Sequence, residues 1–546
     1  MKKLIVFSLL AIGLLSAAAI RQNDKYFEIL KNLDIFATMY KEVNANYVDD
    51  LNPNALMRTG IDAMLGSLDP YTVYYSEDQI EDVRTENTGQ FGGIGAVIGE
   101  RDGGKVVVVL PNEGYPAQKA GLKRGDEIIA INGIDVKNDY DKASLYLRGQ
   151  SSSSINLKVL RPGEGPLDFK VDFERIELPN VPYSGMVDAK VGYIKLTGFR
   201  EDASKEVKNA LRELKKEGAE KIILDLRDNG GGLLNEAVNI SNIFIDKGQL
   251  VVTTKGKLEE MNATYNALNA ATDTEIPLAV LINSSSASAS EIVAGVMQDY
   301  DRGILVGRKS YGKGLVQRTL PLSYNSQMKV TIAKYYTPSG RCIQAIDYSS
   351  RNPDGSVGKI ADSLKTAFRT ENGRPVYDGG GIDPDVQVER PRLSPVAIGL
   401  LKEDLIFKFA NQYSGTVPQI QNAQSFELPE KLYLDFKKWV NDKTFSYSSP
   451  LQTKIDELKV TAERYGETDK IGQALKQLEA ALSRDVQSDM EKSKEEIKYL
   501  IKEEFAMRQH LERGQIEASF SFDNDLKRAI QLLNNPVEYN KILSGR

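Results

Sequence analysis

The chain has 546 residues, among them one histidine and one cysteine, with 41% hydrophobic and 27% charged content and a formal net charge of -6. At roughly 150 residues per domain the length accommodates about three or four domains, and the composition is that of an ordinary globular protein. Zinc sites of the Cys/His type lack ligands, a Ser/His/Asp triad would have to use His510 in a charged helical tail, and the acidic balance gives no electrostatic ground for binding nucleic acid. A nucleophilic serine in this chain must therefore find its base in a lysine or a carboxylate.

Residues 1–20 read MKKLIVFSLLAIGLLSAAAI: two lysines, an apolar run and small residues ending Ala17-Ala18-Ala19. This is the order of a cleaved secretory signal peptide and predicts export to the periplasm or cell envelope. An uncleaved anchor is the alternative, since the run from Leu4 to Ile20 barely reaches the length of a bilayer span, and membrane association stays open with it. In an exported protein the lone Cys342 has no partner for an internal disulfide, and it reads as a small half-buried residue in a strand. Residues 21–85 form a helical N-terminal region, with Phe27, Leu30, Leu33, Phe36 and Tyr40 at helical spacing and a turn at LDPYT, Leu68 to Thr72.

In residues 86–175 short strand, turn and helix signals alternate. VVVVL and DEIIAING are strands, YPAQKAGL is a short helix closed by Gly121, and a second helix runs near Tyr140 to Leu147. The loop Gly93-Ile94-Gly95-Ala96, the PAQKAGL helix and the RGDEIIAING strand pair, in that order, resemble a PDZ domain. The resemblance implies that the loop N–H groups hold a peptide's C-terminal carboxylate while the strand edge takes the peptide backbone. Val97, Leu145 and Leu147 would accept an apolar last residue, and Arg148, just past the second helix, would signal occupancy unless it is only an exposed helix-end arginine.

From 176 to 393 the pattern becomes an α/β layer domain. Strands VGYIKLTGF, KIILDLR, LAVLIN and GILVGR alternate with helices SKEVKNALRELKKEG, LLNEAVNISNIFI and ASEIVAGVMQDY, and strands LVQRTLPL and MKVTIAKYYT follow. Asp347 to Gly381 is polar and rich in glycine, which predicts a loop-like insertion with one short helix. Beyond Ser394, residues 394–546 are helical and suited to an oligomerisation arm or to docking an adaptor, and within them TDKIGQALKQLEAALSRDVQSDMEKSKEEIKYLIKEEF reads as an exposed helical region.

Three loops of the α/β domain carry candidate chemistry. DLRDNGGG, Asp225 to Gly232, leaves a buried strand for a helix, so its glycines bring N–H donors close to a developing negative charge. GRKSYGKG matches a phosphate loop until Gly314 stands where Ser or Thr must bind magnesium, and a strand rather than a helix follows, which argues against nucleotide. In NSSSASASEIVAG five serines precede a helix. Acyl transfer needs a nucleophile, a base and N–H donors, and the three loops offer each. A lysine base must fall from about 10.4 to roughly 7 or 8, about 4 kcal/mol of environmental shift, which burial between Gly312 and Gly314 would supply.

SASASE followed by GKGLVQ, together with the LDP turn, DLRDNGGG, TPSGR at Thr337 to Arg341 and GIDPDV at Gly381 to Val386, resembles the carboxyl-terminal processing proteases, also called tail-specific proteases. These are Ser/Lys endopeptidases with a crotonase-like α/β core and an inserted PDZ domain. The resemblance implies Ser288 as nucleophile, Lys313 as base and Gln317 as the group orienting the lysine, and needs no cofactor or metal. It implies oxyanion donors at Ala289 and at Gly231, with Gly232 the second choice; the separation of Ser288 and Lys313 along the chain is also that of the family. The other serines keep capping or local roles, and Glu291 serves the helix dipole.

The expected function is an exported serine endopeptidase acting on proteins with free apolar C-termini through an acyl-enzyme. A catalytically inactive PDZ peptide-binding scaffold of the cell envelope is the alternative, against which Ser288, Lys313 and Gln317 argue. A crotonase-type acyl-CoA enzyme is a third reading, disfavoured by the export signal and the PDZ pattern.

Overall fold

The computed structural model describes residues 25–101, 103–389, 392–447, 450–482 and 485–545. The predicted signal peptide lies outside them. No helix among the described residues is long and apolar enough to cross a membrane. The chain divides into two compact units, one running to Tyr75 and including Thr319–Val330, the other comprising Ser76–Arg318 and everything from Thr331.

The first unit is a helical hairpin with a strand. A helix over 25–46 meets the helix Pro53–Gly66, which starts cleanly because Asn52 caps Ala55 N and proline occupies the first turn. Tyr40 donates to Pro53 O at 2.7 Å, and the Phe36 ring lies beside Gly60. In the LDPYT turn the buried Asp69 carboxylate accepts the N–H groups of Tyr71 and Thr72, both at 2.8 Å. Val73–Tyr75 then pairs antiparallel with Gln327–Lys329.

In the second unit, residues 96–172 build an antiparallel sheet in the order Ala96–Arg101, Lys105–Pro111, Glu127–Ile131, Ser154–Arg161, Gly165–Asp172. Inward-facing Val106, Val108, Ile128, Ile131, Leu157 and Val159 form its core. Ala96–Arg101 is an edge strand, and the helix Tyr140–Tyr146, capped by Asp139, packs beside it. The strands and both helices fall where the alternation of residue types places them.

A second six-stranded sheet carries the order Tyr183–Asp188, Val191–Lys195, Lys221–Asp225, Leu278–Ile282, Ile304–Gly307, Val386–Gln387. All pairings are parallel except the first. Parallel strands in such a sheet need cover on both faces, and the five residues of Leu278–Ile282 are all buried. One face is covered by the crossover helices Ala203–Lys216, Leu234–Phe244 and Ala289–Asp299. The other is covered from the far end of the chain by Ile516, Phe520, Leu526, Ala529, Leu532, Leu533 and Tyr539. Tyr539 seals the contact by donating to Leu278 O and accepting Leu278 N, both at 3.0 Å.

The region after residue 394 is mostly a packed body, and the exposed reading of Thr468 to Phe505 holds for only part of that stretch. Pro395–Lys402, Leu405–Tyr413, Glu430–Asn441 and Lys494–Ser519 close around Phe409, Tyr433, Phe436 and Phe505. Thr468–Ala481 matches the exposed reading and packs mainly on its neighbour Pro450–Arg464, whereas the part of Lys494–Ser519 that falls in the same stretch contributes Ile497, Ile501 and Phe505 to the core. His510 sits at a kink of the long helix, with Leu511 at φ 53°, and its ring Nε2 lies 2.6 Å from Ile420 O.

Two more expectations change. The segment 347–381 has the one short helix expected, a 3-10 turn at Asp362–Leu364, but is not otherwise a loop: it contains two small hairpins, Ile346–Arg351 with Val357–Lys359 and Ala367–Arg369 with Pro375–Tyr377. Arg374 fixes the second hairpin through Asp301 at 2.6 Å and Asp385 at 2.5 Å. Cys342 is half-buried as expected but lies in an irregular segment, not a strand.

Candidate active site

The serine turn links the buried strand Leu278–Ile282 to the helix Ala289–Asp299. Its hydroxyls are not equivalent. Ser284 and Ser285 are exposed before the helix begins, whereas Ser286 and Ser290 are fully buried, donating to Leu226 O at 2.8 Å and Asn229 O at 2.9 Å. Ser288 lies between these extremes. It stands at the N-cap with φ 57° and ψ −114°, a conformation a non-glycine residue holds only under strain. Tyr335 Oη fixes its carbonyl at 3.2 Å.

Glu291, one turn into the helix, organises the site in a way the sequence reading did not anticipate. Its side chain is wholly buried. One oxygen accepts Ser288 N at 2.8 Å and Lys313 N at 2.9 Å; the other accepts Ser310 Oγ at 2.5 Å and Gly312 N at 2.7 Å. Burial pushes its pKa up, and these four donors oppose the shift by favouring the carboxylate. The signal was present in the sequence as a glutamate three residues into a helix, but that spacing is also an ordinary capping pattern.

The lysine loop is packed as its glycines suggest. A Cβ at Gly312 would fall 2.4 Å from that of Ala345, and one at Gly314 2.7 Å from Gln344 N. Gly314 N donates to Gln344 Oε1, and Ala345 N to Gly312 O. The segment following TPSGR thus backs the lysine, while Arg341 of that motif, itself buried, ties down the end of the serine helix through Asp299 and Gln298, both at 2.8 Å. Ile382 of GIDPDV donates to Ser310 Oγ at 2.6 Å. Gln317 donates to Thr331 Oγ1 at 3.2 Å.

The glycine loop closes over the serine turn. Asp228 N donates to Asn283 Oδ1 and Ala287 N to Asn229 O. A Cβ on Gly231 would lie 2.9 Å from both Ser288 Cβ and Ala289 N, and its φ of 100° is a conformation glycine favours. Gly231 gives its own N–H to Asn229 Oδ1 at 2.9 Å. Among the described residues the N–H groups of Ala289 and Gly232 carry no such bond.

At the other candidate site, Val97 and Leu145 are exposed on the edge strand and its neighbouring helix. Ile94 and Leu147 are closed into the core and offer a ligand only backbone. Gly93 bridges Arg148 in antiparallel fashion, Gly95 turns the chain at φ 72° ahead of Ala96, and Arg148 pairs with Asp82 at 2.6 Å. The two groups lie apart: Ser288, Lys313 and Gly231 are in loops that connect to strands of the α/β sheet, Gln317 is in the strand Leu315–Pro321 outside that sheet, and Val97 and Leu145 are at the edge of the antiparallel one.

Peptidase family S41 matches residues 190–354, a PDZ domain matches 107–161, and the probable PDZ-protease C-terminal helical domain matches 396–533. A probable CtpA-like serine protease of Staphylococcus aureus (strain MRSA252) is 38% identical over 417 residues, 76% of this chain and 80% of that protein. A carboxy-terminal-processing protease of Bartonella bacilliformis is 36% identical over 322 residues, 58% and 73% of the two chains. The solved structure of a photosystem II D1 C-terminal processing protease aligns at 28% identity over 65% of this chain and 92% of that one, with a TM-score of 0.34. With the Staphylococcus aureus relative spanning most of both chains, and with the serine, lysine and glycine loops assembled in one α/β domain beside a PDZ domain, the chain belongs to peptidase family S41 as a carboxy-terminal-processing serine protease.

Proposed function

We propose that the chain is an exported endopeptidase working by a Ser288/Lys313 dyad. The observation that carries this reading is the single Glu291 oxygen that accepts both Ser288 N and Lys313 N, because it brings a strained, accessible serine and the only glycine-flanked lysine of the chain to one point. The neutral Lys313 amine takes the proton of Ser288 Oγ as that oxygen attacks the scissile carbonyl. The Ala289 N–H, at the positive end of its helix, and the Gly231–Gly232 segment stabilise the resulting oxyanion; with Gly231 committed to Asn229, the Gly232 N–H is the available second donor. The C–N bond breaks, the lysine ammonium protonates the leaving amine, and an acyl ester remains on Ser288. Water then attacks that ester with Lys313 again as base, releasing the new C-terminus. We assign Gln317 to orienting the Lys313 amine; its amide is itself held through Thr331 Oγ1.

The PDZ domain binds peptide substrate, and we assign it the free C-terminus. The edge strand Ala96–Arg101 takes the peptide backbone, the Gly93–Ala96 loop the carboxylate, and the exposed Val97 and Leu145 an apolar terminal side chain. Ser288→Ala and Lys313→Ala should each abolish casein cleavage, and Ser288→Ala should bind a peptide ending in Ala-Ala about tenfold to a hundredfold better than its amide. Cleavage at the wild-type rate by Ser288→Ala would remove the dyad, and equal binding of acid and amide would remove the tail-reading role.

A further inference from the structure

The glycine loop is held from behind by charges that come from nearly three hundred residues away. Arg227, the arginine of DLRDNGGG, donates through Nε and Nη2 to Asp225 at 2.9 and 2.6 Å. Its opposite edge meets Asp523 at 2.9 and 2.6 Å and Asp525 at 3.1 Å. Arg308 stands 3.5 Å from Asp525, Lys195 3.8 Å from Asp225, and Tyr193 Oη donates to Asp225 at 2.5 Å. Three cations thus balance three carboxylates in a largely buried cluster, with Asp225 wholly inaccessible and Asp525 4% exposed.

The residues immediately after Arg227 are those bonded to the serine turn: Asp228 to Asn283, Asn229 to Ala287 and Ser290, and Gly231 in contact with Ser288. Moving the guanidinium moves the loop that packs on the nucleophile. Resting on the Ser288 reading above, we propose that Asp523 and Asp525 of the C-terminal helical region are positioning residues for the active site, acting through Arg227 on the oxyanion loop. The region after residue 394 then completes the catalytic centre instead of serving only as a cover. Loss of both distant carboxylates leaves Arg227 pulled toward Asp225 alone, and displacement of about 1 Å at a reacting centre costs on the order of a hundredfold in rate.

Asp523 also caps its helix, accepting Leu526 N at 2.9 Å. Asparagine keeps that cap and removes only the charge, so Asp523→Asn separates the two roles. The test uses the full chain carrying Asp523→Asn/Asp525→Asn, with kcat, KM and the thermal midpoint measured on one peptide substrate and Ser288→Ala run alongside. The expected result is a folded variant whose kcat falls about tenfold to a hundredfold with KM within about twofold. Adding Arg227→Lys, itself impaired, should deepen the loss little, because all three changes act through one guanidinium. If the double variant does not fold, Asp525→Asn alone is read against the same two outcomes. Wild-type kcat in a folded asparagine variant, or losses that multiply with Arg227→Lys, would overturn the proposal while an inactive Ser288→Ala leaves the dyad standing; an active Ser288→Ala would instead sink the dyad.

Discussion

The two faces of the α/β sheet are covered in different ways. One carries Ala203–Lys216, Leu234–Phe244 and Ala289–Asp299, each part of the crossover between neighbouring strands, the middle one with the strands Leu250–Gly256 and Ala263–Asn266 of another sheet following it before the chain returns. The other receives Ile516, Phe520, Leu526, Leu532 and Tyr539 after the chain has passed through more than a hundred residues of separate helical structure. Both faces are equally dry, since Ile222 and Leu224 on one side and Ile223 and Leu281 on the other are all fully buried. A core is thus one object energetically even when half of it is local in sequence and half is not. The price of the distant cover is loop-closure entropy, which grows only slowly with length.

Ending the chain at Glu517 gives the largest test of that equivalence. Each apolar side chain so uncovered forfeits about 1.5–3 kcal/mol, and several together exceed the stability of about 5–15 kcal/mol available to a domain. The truncated protein should aggregate or lose its cooperative thermal transition; a soluble, active product would show the second face to be dispensable. Finer resolution comes from matched cavities. Leu526→Ala on the distant face and Leu211→Ala on the local one should each cost about 2–5 kcal/mol in denaturant unfolding, and a cost confined to Leu211 would break the equivalence.

Within the active site, Glu291→Gln should lower kcat by about a hundredfold, because an amide presents one acceptor oxygen to four donors and releases the serine or the lysine loop. Ser286→Ala, which loses the neutral bond given to Leu226 O and the one accepted from Asn283 N, should retain measurable activity. Comparable losses in both would make the turn, rather than the carboxylate, the organising element.

The smallest effect is electrostatic. Burial alone would raise Asp225, but the charges of Arg227 and Lys195 and the donors around it hold its pKa well below the usual carboxylate range. A depressed folded-state value contributes stability above the unfolded pKa of about 3.9, which is lost as pH falls below it. Asp225→Asn should be less stable than wild type at pH 7 and approach it in acid; a difference independent of pH would assign the effect to packing.

Much of this was legible because the informative residues are neighbours in the chain. Gly312 and Gly314 flank the lysine where Ala345 and Gln344 allow no Cβ, and the PAQKAGL and RGDEIIAING signals sit within one small sheet. Motif order favours Ser288 over Ser286 and Ser290 in the proposed dyad, and the structure shows the latter two hydroxyls turned inward onto Leu226 and Asn229. Glu291 escaped notice because its partners Ser310, Gly312 and Lys313 are remote in sequence and a first-turn glutamate has a sufficient local explanation. Asp523 and Asp525 escaped for the same reason, as helix-start acids whose partner Arg227 lies in another domain. The hairpins of 347–381 were obscured by their glycines and asparagines, which mark tight turns between short strands as readily as they mark loops.

The central claim is that Ser288 is acylated with Lys313 as its base. Acid-quenching the full chain during turnover of an activated peptide ester and mapping the adduct by mass spectrometry tests it most directly. The account predicts an acyl ester on Ser288 that accumulates faster as pH rises toward the lysine's titration and is absent from Lys313→Ala. An adduct on another residue, or undiminished labelling of Ser288 in Lys313→Ala, would contradict it.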